Sequence, residues 1–168
     1  MKPNNDFVIL HSDLAQRVSE ILAQRGMKVG IAESCTGGLL SYHFTMLSGA
    51  SEILDGAMIS YANAIKASWL NVSEENLTRF GAVSEPVVRA MCEGILKQSG
   101  ADVALATSGI AGPTGGSESK PVGSVYIGVQ HKGERAHIEL CHFDGGRIEV
   151  QSQTCAKALE MLLALLDS

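Results

Sequence analysis

Aromatic residues make up only 5% of this 168-residue sequence and charged residues only 18%. With few aromatics available, the core has to be built from aliphatic side chains. A chain that is 45% hydrophobic and so weakly charged is not a disordered one, because burial offsets the entropy of ordering. No run approaches the ~20 consecutive apolar residues of a membrane-spanning helix. The N-terminus MKPNNDFVILHSDLAQ likewise lacks the uninterrupted apolar segment of an export signal. Cys35, Cys92, Cys141 and Cys155 form no CxxC pair, so neither a zinc ribbon nor a disulfide framework is indicated. Of these, Cys92, Cys141 and Cys155 read as ordinary buried thiols. Lys and Arg number 13 against 18 Asp and Glu and nowhere cluster, which leaves no electrostatic footprint for nucleic acid. A local basic pocket for a small anion is compatible with the net charge of −5. The expectation is a cytoplasmic protein whose partners include neither nucleic acid nor membrane, folded as one domain over residues 1–168.

Glycine, by contrast, is plentiful at 18 residues, more than an aliphatic core requires. Apolar spacing predicts a first helix over His11–Arg25, ended by Gly26. A strand over Met27–Ala32 is followed by the small-residue turn Glu33-Ser34-Cys35-Thr36-Gly37-Gly38 and a helix over Leu39–Leu47. Asp55–Tyr61 reads as a strand and Ala62–Leu70 as a helix, with Ser73 capping a short helix after it. Ser84-Glu85-Pro86 is a helix-start signal, the serine supplying a capping hydroxyl. Asp102–Thr107 reads as a strand covered on both faces. Val122–Gln130 and Arg135–Cys141 form a hairpin, and Ile148–Leu166 a closing helix. This alternation predicts an α/β fold: a three-layer α/β/α sandwich with a mixed, mostly parallel sheet.

Three constellations are able to carry chemistry. The turn from Glu33 to Gly38 lies at a strand-to-helix junction, where ligands of α/β sheets collect. Ser34 and Thr36 offer hydroxyls there, and Gly37 and Gly38 allow close backbone approach, although the same residues also serve as helix caps. The turn is not a GxSxG elbow, since positions 32 and 36 are alanine and threonine. Lys66 lies on the apolar stretch Ile65-Lys66-Ala67-Ser68-Trp69-Leu70. Desolvation there lowers a lysine pKa toward that of a usable base, whereas a surface helix simply lets it reach solvent. Tyr61 precedes it by one and a half turns. The loop from Ser108 to Pro121 is the third constellation: six of the 18 glycines fall between Gly109 and Gly128, as if backbone wrapped a ligand. It is not a Walker A loop, because Lys120 is followed by proline. Ser117 to Lys120 matches SxxK, but the flanking Gly115-Gly116 and Pro121 oppose the helical turn that motif needs. His137 and His142 point to opposite faces of a strand, which argues against a metal site. Asp144 to Arg147 forms a turn whose arginine is either a solvated charge or an anion clamp. His11, His43 and His131 show no evident partners.

Four ordered motifs resemble the CinA C-terminal-domain family, whose members include nicotinamide mononucleotide deamidases. They are AESCTGG (Ala32–Gly38), ISYANAIK (Ile59–Lys66), GAVSEPVV (Gly81–Val88) and SGIAGPTGG with KPVGSV (Ser108–Gly116, Lys120–Val125). The chain is similar to the stand-alone form of a domain that some relatives fuse to a molybdopterin-binding-like domain. The resemblance implies hydrolysis of a nucleotide carboxamide to an acid and ammonia, a step in pyridine nucleotide salvage, with neither metal nor cofactor. Ser34 then matches the catalytic serine, Lys66 the general base and Tyr61 an assisting hydroxyl. Thr36, Gly37 and Gly38 become donors to the oxyanion, Ser51, Ser108 and Gly109 pocket positions, and Arg147 a grip on the substrate phosphate. Where relatives often carry an aspartate and a further arginine, this chain has Gly146 and Gln151. The family also contains members set in competence or DNA-damage contexts, so a catalytically silent nucleotide-binding protein is the alternative. Homo-oligomers are the family's tendency.

Overall fold

The computed structural model describes residues 10–168. Helix α1 (Ser12–Arg25) ends where Gly26 turns left-handed at φ 61°, closing the last turn as the sequence predicts. Strand β1 (Val29–Glu33) is buried along its whole length. It leads through the Ser34 to Gly38 turn into α2 (Leu39–Thr45), then a four-residue α3 (Ala50–Ile53) that periodicity did not reveal, and β2 (Leu54–Ile59). Helices α4 (Asn63–Leu70), α5 (Glu74–Phe80) and α6 (Glu85–Ser99) precede β3 (Val103–Gly109). The chain closes with β4 (Ser124–His131), β5 (His137–His142) and α7 (Arg147–Asp167). Ser73 caps α5 by accepting the Asn76 N–H. Ser84 makes no such cap on α6: its hydroxyl donates backward to the Gly81 carbonyl instead.

The sheet runs β2-β1-β3-β4-β5. β1 is parallel to both neighbours, whereas β3 with β4 and β4 with β5 are antiparallel, so the parallel part of this mixed sheet is its first three strands. Side chains alternate between two cores. Ile31, Leu105 and Ile127 face α1, α2 and α7 with Val18, Leu22, Phe44 and Leu159. Ala32, Ala104 and Ala106 face α6 with Leu70, Val88, Met91 and Ile95. The small residues on the second face let α6 settle against the sheet. A Cβ on Gly30 would lie 2.7 Å from the Ser99 hydroxyl, and one on Gly128 2.8 Å from the Cys92 sulfur. Among the described residues no helix is long and apolar enough to cross a membrane.

Strand polarity collects the site at one edge. The carboxyl ends of β1, β2 and β3 lie together. The antiparallel register adds the start of β4 and the end of β5, with Gly109 opposite Val125 and Ser124 opposite His142. Ser34, Tyr61, Ser108 and Arg147 therefore leave the sheet on the same side.

Helix α4 reaches this edge only because α6 lets it approach: a Cβ on Gly94 would sit on the carbonyl oxygen of Leu70, the last residue of α4. Gly94→Ala is therefore expected to lower stability by about 2 kcal/mol, measured by thermal unfolding, since backbone cannot yield as a side-chain tip does.

Candidate active site

Lys66 lies in the second turn of α4 and is 1% exposed. Its ammonium has three donors, and three acceptors meet it: Ser34 Oγ at 2.9 Å, the Ser60 carbonyl at 2.7 Å and the Tyr61 carbonyl at 3.1 Å. Burial lowers its pKa from the ordinary 10.5 to about 8, against an opposing pull from Cys35. Once neutral, the amine keeps two donors for the carbonyls and turns its lone pair to the Ser34 hydroxyl. Ser60 ties the ends of two strands together, since both its N–H and its hydroxyl donate to the Glu33 carbonyl.

The turn carrying Ser34 is held from behind by Glu33. This side chain is fully buried and accepts from Thr36 Oγ1 at 2.6 Å and from the N–H groups of Gly38, Leu40 and Ser41 at 3.0, 3.0 and 2.8 Å. All four partners are donors, the set an ionised carboxylate satisfies, and three of them are orphan N–H groups at the start of α2. Thr36 gives its proton to Glu33 and so accepts one from Thr107 Oγ1 at 2.9 Å. From α7, the Gln151 amide donates to the Cys35 carbonyl at 2.8 Å. Burial pushes the Cys35 thiol up to about 12, so it stays protonated beside Ser34.

Ser34, Lys66 and Tyr61 line a pocket of about 260 Å³ with Ser108, Gly109 and Arg147. Its remaining wall comes from Ala82 and Val83 before α6 and from the loop between Ile110 and Gly115. Among the described residues, Lys66 and Arg147 are its only charged lining side chains. Tyr61 contributes differently from expectation: its backbone carbonyl holds Lys66, while the ring stands 59% exposed on the rim. Four further expected positions are not brought to the pocket wall. Thr36 faces Glu33 and Thr107 on the opposite side of the sheet. Gly37 and Gly38 cannot offer their N–H groups to an oxyanion, because these already donate to the Ser34 carbonyl and to Glu33. Ser51 is exposed on α3, which immediately precedes the start of β2 and so lies at the far edge of the sheet.

Several residues were missed from sequence. Glu33 was visible only as the first residue of the turn after an apolar strand, and Gln151 only as a substitution. His11 and His43 do have partners. Their rings stack 5.8 Å apart, and buried His43 donates from Nδ1 to the Leu39 carbonyl while Nε2 accepts the His11 N–H. Burial lowers the His43 pKa, consistent with that neutral, donor-and-acceptor ring. The (i, i+4) spacing from Leu39 to His43 was the available signal. Among the described residues no group of three or more His, Cys, Asp or Glu is placed to hold a metal.

The fold and the pocket define a class: three-layer α/β domains with a buried serine–lysine pair at the carboxyl edge of the sheet. The model of the CinA C-terminal domain matches residues 11–166, and the chain belongs to that family. A CinA-like protein of Syntrophomonas wolfei is 46% identical over 145 residues, covering 86% of this chain and 35% of that protein. The chain thus spans roughly a third of the length of such relatives. The crystal structure of the competence/damage inducible protein CihA from Agrobacterium tumefaciens is similar at a TM-score of 0.90 and 39% identity, over 94% of this chain and 95% of that one. A CinA superfamily protein from Escherichia coli gives 0.88 at 29% identity, over 98% and 94%.

Glu33→Gln places an amide N–H2 among four donors. It should cost roughly 3 kcal/mol of stability in denaturant unfolding, because charge-assisted acceptors are lost and donors are left facing one another. A loss below about 0.5 kcal/mol would show that the carboxylate does not hold the turn.

Proposed function

We propose that the chain is an amidohydrolase that converts nicotinamide mononucleotide and water to nicotinate mononucleotide and ammonia. The observation that carries this reading is the buried Lys66 amine, 2.9 Å from Ser34 Oγ in a pocket that also holds Arg147. A serine hydroxyl is a poor nucleophile, and a neutral amine at hydrogen-bond distance is a sufficient base. Lys66 takes the Ser34 proton as Oγ bonds to the carboxamide carbon. The oxyanion takes a hydrogen bond from the Cys35 N–H, beside the nucleophile, which donates to no other residue's backbone carbonyl among the described residues. As the tetrahedral species collapses, the C–N bond breaks and Lys66 returns the proton to the departing ammonia. Water then adds to the acyl-serine by the same proton route, releasing the acid and restoring Ser34.

With a pKa of about 8, about a tenth of Lys66 is neutral at pH 7, against roughly one in three thousand at the ordinary 10.5. Because the neutral form is the base, activity should rise with pH and level off above about 8. Purified protein given nicotinamide mononucleotide should release ammonia with that profile, and Ser34→Ala should release none above background. Tight binding without turnover would leave a nucleotide-binding protein. Full activity in Ser34→Ala would refute the reading outright.

Arg147, the first residue of α7, is exposed on the pocket rim where it reaches an anionic end of the substrate. Arg147→Ala should raise KM about tenfold with little change in kcat, since a phosphate grip acts equally on ground and transition states. An unchanged KM removes Arg147 from the site.

A further inference from the structure

The two charged groups of the pocket, Lys66 and Arg147, create a problem for a reaction that turns a carboxamide into a carboxylate. A protonated Lys66 beside Ser34 attracts the anionic product more than the neutral amide, and among the described residues no acidic side chain lines the pocket to oppose it. One group there has the opposite polarity. Ser108, at the end of β3, is 1% exposed and lines the pocket beside Ser34. The parallel register pairs Ala32 with Ala106, so Ser34, in the turn that follows β1, and Ser108, near the end of β3, leave neighbouring strands at the same edge and line the same pocket. By alternation both point to the α4 and α6 side, whereas Glu33 and Thr107 point to the other.

The Ser108 hydroxyl donates its single proton to the Ala82 carbonyl at 2.8 Å. What remains for the cavity is a pair of acceptor lone pairs, held in place because the donor is committed. We infer that Ser108 selects carboxamide over carboxylate: its oxygen accepts an N–H of the substrate amide and repels a carboxylate oxygen in the same place. The inference rests on the amidohydrolase reading for its ligand but assigns Ser108 a separate task, discrimination between substrate and product.

The test measures binding to the Ser34→Ala protein, which separates affinity from turnover. Calorimetry is run with nicotinamide mononucleotide, nicotinate mononucleotide and the methyl ester of the latter, which has no N–H to donate. Ser34→Ala should favour the carboxamide over both others. Adding Ser108→Ala should shift the ratio of carboxamide to carboxylate dissociation constants about tenfold toward the carboxylate and erase the preference over the ester. Ratios unchanged by Ser108→Ala, or all three ligands weakened alike, would overturn the inference and leave Ser108 as a fastening for Ala82. If Ser108→Ala does not fold, the ester comparison in the Ser34→Ala protein decides: equal binding of amide and ester overturns the inference. Wild-type protein that releases no ammonia, while the ratios shift as described, separates failure of the enzymatic reading from failure of this one. Binding of none of the three overturns both.

Discussion

Glu33 ends β1 with a carboxylate that has no access to solvent, and the rest of the site depends on how four donors converge on it. Three of them are N–H groups at the start of α2, a helix of seven residues whose own N-cap position is Gly38, without a side chain to cap it. A short helix gains little from propensity alone, so a buried counter-charge at its N-terminus is what fixes its origin. Strand alternation does the rest. With Glu33 committed to the α2 side, Ser34 can only face α4, where Lys66 waits. Ser34 is thus oriented from a residue that does not line the pocket.

Lys66 is placed by a different constraint. Its three acceptors come from β1's turn and from the two residues after β2, so the ammonium joins two strand ends while buried between helices. Burial of that kind disfavours the charged form and costs stability at neutral pH, where the unfolded chain holds the proton freely. The same penalty leaves a larger share of the amine neutral near pH 7. The glycine surplus belongs to this constraint as well, because Gly30, Gly94 and Gly128 let α6 press against the sheet and α4, and α4 carries Lys66. Only part of the glycine serves the pocket loop.

Most elements were legible in the sequence because their apolar periods are clean: the α1 stop at Gly26, the doubly covered β3 and the closing helix all lie within a few residues of expectation. Family motifs picked out Ser34 and Lys66, and the structure puts them in contact. Period and spacing alone left Lys66 open between base and solvated surface charge, because its burial depends on the α4–α6 crossing, a tertiary fact. The Thr36-Gly37-Gly38 turn shows the reverse. Two of its three N–H groups looked free locally, but the Glu33 carboxylate just before the turn takes that of Gly38 and the Ser34 carbonyl that of Gly37. Ser51 failed for a similar reason, since α3 is too short to be seen in a periodicity and it sets that serine at the opposite edge.

Gln151 ties α7 to the turn that carries Ser34. It sits one helical turn after Arg147 on α7, so the two side chains share a face, one at the pocket rim and the other on the Cys35 carbonyl. An arginine at 151 would bring a positive charge to the Cys35 carbonyl, beside Ser34, and a positive charge near an amine disfavours its protonated form. The neutral amide holds the Ser34 turn without that charge, and the value of about 8 at Lys66 reflects burial against the opposing pull of Cys35. Arg147 correspondingly carries the positive charge of the outer pocket by itself. The buried amine and the exposed rim charge of the pocket are in this chain two separate residues, Lys66 at 1% exposure and Arg147 at the start of α7.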